Sequence, residues 1–295
     1  MSLINAQEKE KEIAQLMQIP YHIKKLNIGE HIINYLVAGN GPPLLLIHGI
    51  NIGWGQWYKN IPELSKYFTV YAIDLPGSGF SSSAGVYSSG LEKLLIKTIE
   101  EFILRLKLDP VNLIGHSLGG WVVLKLALRK RINIKKIVLV DSLGFTTYVP
   151  WRYKLLSFSF LTRLLMSTVM RPSKNNMRSF LTSVIQEKET VDEIFIDYFL
   201  HAIKSHGVHP FIFINKISGF FKVKKELVLI DQLSKIKQPT LIIMGENDPL
   251  VRVVDIHKTY ILIPNAKLEV FLNTGHVPQF ENVVTFNNLV VQFLC

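Results

Sequence analysis

Val111-Asn112-Leu113-Ile114, then Gly115-His116-Ser117-Leu118-Gly119-Gly120, then Trp121-Val122-Val123-Leu124-Lys125-Leu126-Ala127-Leu128: this stretch decides the fold. The first four residues are short and apolar and predict a buried strand. The last eight predict a helix. The six between them fit Gly-x-Ser-x-Gly, a weak pattern alone because glycine and serine are common. Set between a strand and a helix, it predicts a sharp turn that pushes Ser117 out of a sheet with its hydroxyl exposed. The flanking glycines let the backbone turn tightly and let neighbouring elements pack close.

The rest of the chain supplies the sheet. Residues 32–38, 44–47, 69–73, 136–140, 239–244 and 267–271 predict strands, and 91–108 and 283–294 predict helices. In the first of these helices Leu94, Leu95, Ile99, Phe102 and Leu106 share one side. Strands alternating with helices imply an α/β fold, a mostly parallel sheet with helices on both faces. The alternation breaks between Gly144 and Leu233, where helical pattern alone remains and aromatic residues are dense. The expected division is a core of residues 1–143 and 234–295 and a helical cap, or lid, of residues 144–233. Most of the cap aromatics are expected to form its own core. The longest apolar run, 155–170, is interrupted by Arg163 and is too short for a membrane span. A surface-lying or substrate-covering helix is expected there.

Composition sets outer bounds. A chain of 295 residues can bury one large core with an inserted cap. With 48% hydrophobic and 19% charged residues it is not a disordered chain. The formal net charge is +10, but the lysines are scattered. Even the Lys222, Lys224 and Lys225 cluster makes no electrostatic stripe, so no nucleic-acid partner is expected. The single cysteine, Cys295, allows no intrachain disulfide, which suits a reducing compartment. Residues 1–18 are charged and helical in pattern, without the apolar core of a signal peptide, and are read as a solvated helix. A cytoplasmic monomer or homodimer is expected, with membrane-surface contact as a lesser alternative.

An activated serine needs a base, and the base needs an orienting group. In this topology the histidine comes last and the acid before it. His276, in Asn273-Thr274-Gly275-His276-Val277-Pro278, follows the last strand and lies at the same sheet edge as Ser117. The acid candidate is Asp248, in Gly245-Glu246-Asn247-Asp248-Pro249. Glu246 ranks behind it, and Asp141, at the end of the preceding strand, is its competitor. The backbone N–H groups of Leu118 and Ile50 are the expected oxyanion donors. His48 is expected to brace its loop, and His116 to point away from the nucleophile. Trp54, Phe145 and Trp151 are the expected pocket walls. His206 and His209 lack an acidic or cysteine partner nearby in sequence, so no metal is expected. Gly77-Ser78-Gly79 lacks the lysine and spacing of a phosphate loop. No organic cofactor is implied.

Taken in order, these motifs resemble the α/β-hydrolase superfamily, in the branch with a helical cap. The resemblance spans about residues 32–294. It rests on His48-Gly49, Asp74-Leu75-Pro76-Gly77-Ser78-Gly79-Phe80-Ser81, the Ser117 turn, Gly245-Glu246-Asn247-Asp248, Gly275-His276-Val277-Pro278 and Glu281. It implies Ser117 as nucleophile, His276 as base and then acid, Asp248 as orienting acid, and a structural role for the Asp74 turn, with Ser78 and Ser81. Serine at the turn argues against haloalkane dehalogenases and epoxide hydrolases, whose relatives carry aspartate there. The loop after His48 lacks the glycine run of hormone-sensitive-type lipases. It also lacks the glycine-rich pattern of typical meta-cleavage hydrolases, which more often carry asparagine before the serine. The expected function is hydrolysis of an apolar carboxylic ester, with thioester or lactone as variants, through an acyl-enzyme. One alternative is C–C bond hydrolysis of a diketone-like substrate, with Arg152, Arg163 or Arg178 holding its carboxylate. Another is a ligand-binding or signalling protein on the same scaffold, since fold does not fix function.

Overall fold

The computed structural model describes residues 3–82, 90, 92–150, 171–206, 217 and 222–295. Trp151, Arg152, Arg163, the apolar run 155–170 and His209 lie outside the described residues. Eight strands form one sheet: β1 (Tyr21–Ile28), β2 (His31–Ala38), β3 (Pro43–Ile47), β4 (Thr69–Ile73), β5 (Val111–His116), β6 (Ile134–Val140), β7 (Thr240–Gly245) and β8 (Ala266–Phe271), in the spatial order β1-β2-β4-β3-β5-β6-β7-β8. From β4 to β8 all neighbours run parallel, while β1 and β2 pair antiparallel at one edge. Among the described residues the longer helices are α1 (Leu3–Gln15), α2 (Lys97–Arg105), α3 (Leu118–Arg129), α4 (Lys174–Val184), α5 (Glu193–His206), α6 (Val253–Thr259) and α7 (Val283–Leu294).

The central strands are apolar on both sides, as burial on two faces requires. Leu45, Leu113, Ile137 and Ile242 point into the layer of α2 and α3. Their sequence neighbours Leu44, Ile114, Val138 and Leu241 point into the layer of α1 and α7. The serine turn depends on close approach. A Cβ at Gly119 would collide with the backbone oxygens of Ile47 and His48, and one at Gly115 with the Gly119 carbonyl. Helix α3 can pack directly on β3 and β5 because these side chains are missing. Gly119→Ala should therefore cost about 1–3 kcal/mol by overpacking. The check is a lower urea midpoint at unchanged slope; an unaltered midpoint would show that the turn has slack.

Two departures from expectation matter for the site. β1 makes a hairpin with β2 through Gly29, which has φ 58°. Its apolar residues Tyr21, Ile23, Leu26 and Ile28 divide between the two faces around Lys24 and Lys25, so no single apolar face marks it. The N-terminal helix, expected to be solvated, is anchored in the core. Glu10 is buried and accepts hydrogen bonds from Trp54 Nε1 at 2.7 Å and Asn34 Nδ2 at 2.6 Å. Asn34 also bonds Asp74 at 2.9 Å. Desolvation, with Glu10 nearby, pushes the Asp74 carboxyl up to about 8. Helix α1 thereby packs against α5 of the β6–β7 insertion.

Candidate active site

The C-terminal ends of β5, β7 and β8 place the chemistry at one edge, as open α/β sheets do. Ser117 follows β5 at φ 52° and ψ −114°, outside the regions that L residues favour. Its amide donates to the Val140 carbonyl at 2.9 Å and its carbonyl accepts from Leu143 at 3.1 Å, so both sides of the turn are tied to the end of β6. Backbone held this far from its preferred basin by surrounding bonds is typical of functional positions. Leu118 is the first residue of α3, where helix amides lack an intrahelical acceptor. No acceptor among the described residues takes the Leu118 or Ile50 amide.

His276 lies between β8 and the turn Pro278–Glu281. Its Nδ1 bonds Asp248 Oδ2 at 2.7 Å, with both side chains nearly sealed from solvent. Asp248 Oδ1 accepts the Leu250 and Val251 amides at 2.7 and 3.0 Å. Three donors therefore fix the carboxylate, and Nε2 is the His276 ring nitrogen that Asp248 does not occupy. Glu246, by contrast, accepts the exposed Asn273 amide. Asp141 is buried at the end of β6 and accepts the Gly245 amide at 3.0 Å. Burial and the neighbouring Asp248 push its carboxyl well above the usual range.

A second set of bonds joins the loops. Gln56 accepts the Gly49 amide at 3.0 Å, and its Nε2 donates to His116 Nδ1 at 2.8 Å. His116 Nε2 in turn donates to the His276 carbonyl at 2.7 Å. Burial and the adjacent His276 hold His116 well below its ordinary range, so the ring is neutral and serves as a link. His48 is held down to about 4 by burial. Its Nδ1 donates to the Gly49 carbonyl and its Nε2 accepts the Leu75 amide, bracing the loop. Glu281 accepts the Gly275 amide at 2.9 Å and the Gln186 and Glu187 amides at 2.7 and 3.1 Å. The His276 loop is thus tied to the insertion. A carboxyl oxygen of Asp141 and ring nitrogens of His116 and His276 lie within 4.8 Å of one another. Both His116 nitrogens and His276 Nδ1 already have protein partners there, so the cluster fits hydrogen bonding better than metal ligation.

One cavity is lined by Ser117, His276, His116 and Gln56, and otherwise by apolar side chains such as Ile50, Phe180, Leu181, Val184, Phe195 and Phe280. Ser117, His276 and Ile50 are brought together as expected. Trp54 and Phe145 are not among the lining residues. Trp54 is spent on the Glu10 bond, its backbone amide on Asp74, and Phe145 is buried in the α3 layer. Gln56 and the α4 wall escaped sequence reasoning. The spacing of Leu181 and Val184 on a helix was the available signal for the wall; a lone glutamine in a loop carries none. Of the three arginines considered, Arg178 pairs with Glu193 on the surface.

A family model described as the α/β hydrolase fold matches residues 42–283. A pimeloyl-[acyl-carrier protein] methyl ester esterase from Nitrosospira multiformis is 24% identical over 256 residues, which is 86% of this chain and 95% of the relative. A 2-hydroxy-6-oxo-2,4-heptadienoate hydrolase from Pseudomonas putida is 27% identical over 266 residues, 87% of this chain and 90% of the relative. Among solved structures, a carboxylesterase from Bacillus subtilis superposes with a TM-score of 0.79 at 18% identity, covering 99% of this chain and 98% of its own. That last likeness concerns the fold alone. No helix of the described residues is long and apolar enough to cross a membrane.

Proposed function

The chain belongs to the α/β hydrolase fold family, and from that premise we propose that it is a serine hydrolase of apolar carboxylic esters working through an acyl-enzyme. Residues 144–233 act as the cap over its pocket. The observation that carries this reading is the 2.7 Å bond from His276 Nδ1 to Asp248 in the same apolar cavity as the strained Ser117. Ser117 Oγ attacks the ester carbonyl while His276 Nε2 takes its proton. Asp248 holds the tautomer and stabilises the imidazolium that forms. The Leu118 and Ile50 amides receive the oxyanion. His276 then returns the proton to the leaving alcohol. In the second half it deprotonates a water that attacks the acyl-enzyme, releasing the acid and restoring Ser117. Thioesters and lactones present the same carbonyl and follow the same course.

The named relatives include both an esterase and a C–C hydrolase. The lining favours the former: among the described residues no arginine or lysine faces the cavity to hold a substrate carboxylate. Assaying a series of p-nitrophenyl acyl esters beside a ring-fission dienoate tests this. The expected kcat/KM for the best ester exceeds that for the dienoate by about 100-fold, the equivalent of an unmet charge in an apolar pocket. A preference for the dienoate overturns the ester reading and leaves Ser117 chemistry in place.

A further inference from the structure

Helix α1 docks through one face. Glu10, Ile13, Ala14 and Met17 follow the i, i+3, i+4, i+7 spacing of that face, and all four are buried. Three are apolar and join the cluster that also holds Trp54 and Phe195. Glu10 is the exception, a carboxyl group in an apolar stripe, where burial is costly unless donors meet it. Among the described residues it has two. Trp54 Nε1 and Asn34 Nδ2 both donate to the same oxygen, Oε1, at 2.7 and 2.6 Å.

These bonds lead to the loop that carries Ile50. Residues 49–54 run between two anchors. At one end His48 and Gln56 hold Gly49. At the other, the Trp54 amide donates to Asp74 Oδ1 at 2.6 Å, and Asp74 Oδ2 accepts from the same Asn34 amide group that reaches Glu10. Glu10 therefore holds residue 54 by its indole directly and by its backbone through Asn34 and Asp74. The anchor is tight: a Cβ at Gly53 would stand 2.5 Å from the Tyr198 hydroxyl and 2.9 Å from Asp74 Oδ1. Between the anchors Ile50 and Ile52 face the cavity, and Asn51 sits at φ 60°.

We infer that Glu10 is a positioning residue for hydrolysis: it fixes Trp54 from outside the cavity and so sets the place of the Ile50 amide that receives the oxyanion. The inference rests on the reading of Ser117 as nucleophile and of the Ile50 amide as oxyanion donor. Glu10 touches neither, so its effect is one of geometry, to which an oxyanion donor is sensitive.

The test compares wild type, Glu10→Leu, Glu10→Gln and Trp54→Phe on one p-nitrophenyl ester and on two ketones of the same chain length. With the trifluoromethyl ketone, Ser117 Oγ adds to the carbonyl carbon, its proton passes to His276 and the carbonyl oxygen becomes an oxyanion. The methyl ketone stays a carbonyl and reports the pocket alone. In Glu10→Leu, kcat should fall about tenfold and the trifluoromethyl ketone Ki rise by a similar factor, with the methyl ketone Ki moving less than about twofold. In Glu10→Gln the amide oxygen can accept both donors, so all three values should return to within about twofold of wild type. Trp54→Phe lacks the indole N–H and should match Glu10→Leu. Because both break one bond, the double variant should be no worse than Glu10→Leu. Glu8→Leu, exposed on the same helix, is the control and should stay within about twofold of wild type.

Wild-type kinetics in Glu10→Leu, an equal loss for both ketones, no recovery in Glu10→Gln, or an equal loss in Glu8→Leu overturns the proposal. Should leucine prevent folding, Trp54→Phe reads the same bond, and an unchanged preference between the ketones there overturns it as well. A wild-type protein that binds the two ketones equally, or turnover that survives Ser117→Ala, would instead defeat the reading on which the proposal rests.

Discussion

Ser117→Ala is expected to lower kcat on the best ester by a factor on the order of 10⁶ and to abolish labelling by a fluorophosphonate probe. In free energy that is roughly 8 kcal/mol of transition-state stabilisation. The size follows from covalent chemistry: without Oγ there is no acyl-enzyme, and His276 has no hydroxyl to deprotonate. What remains is substrate binding and the amides of Leu118 and Ile50. The backbone bonds of residue 117 to Val140 and Leu143 do not involve the side chain. Removing the hydroxyl should therefore leave the urea midpoint within about 0.5 kcal/mol of the wild type. Surviving label at full stoichiometry would place the nucleophile elsewhere.

How much of this was legible in the sequence depends on how local each signal is. The serine turn could be read because three local patterns coincide: an apolar strand, glycines at the points of close approach, and an apolar helix. The strands β4 and β6 and the helix α7 could be read because buried parallel strands are short apolar runs and the last helix has a full apolar face. β1 gives a weak pattern because its apolar residues divide between the two faces around Lys24 and Lys25. Glu10 was misread because one buried carboxylate in a charged helix looks like its solvated neighbours. Only the distant Asn34 and Trp54 give it partners.

The pocket walls were the least legible part. An aromatic residue in the chain can serve the core or the cavity, and the sequence does not distinguish them. Trp54 and Phe145 went to the core, while Phe180, Phe195 and Phe280 went to the cavity. The link from Gly49 through Gln56 and His116 to His276 joins positions with no pattern in sequence. It gives His116 a structural part, connecting the Gly49 loop to the His276 loop.

Asp248→Asn carries the second large effect, an expected fall in kcat of about 10⁴-fold. The amide oxygen can still accept the Leu250 and Val251 amides, so the loop should keep its shape. The amide nitrogen then faces His276 Nδ1 and can only donate to it. That forces the tautomer with the proton on Nε2, and such an imidazole cannot take the Ser117 proton. The loss should appear in kcat, with KM nearly constant, because the apolar cavity is unchanged. Asp141→Asn should cost far less at neutral pH, since the Asp141 side chain bonds the Gly245 amide while His276 Nδ1 bonds Asp248. The order of these two variants decides which carboxylate is the orienting acid. If Asp141→Asn were the more damaging, the acid would sit at the end of β6 and Asp248 would be its support. Asp248→Asn should also stay labelled by the fluorophosphonate, slowly, because Oγ is present and only its activation is lost. Slow labelling without turnover separates a misoriented base from a missing nucleophile.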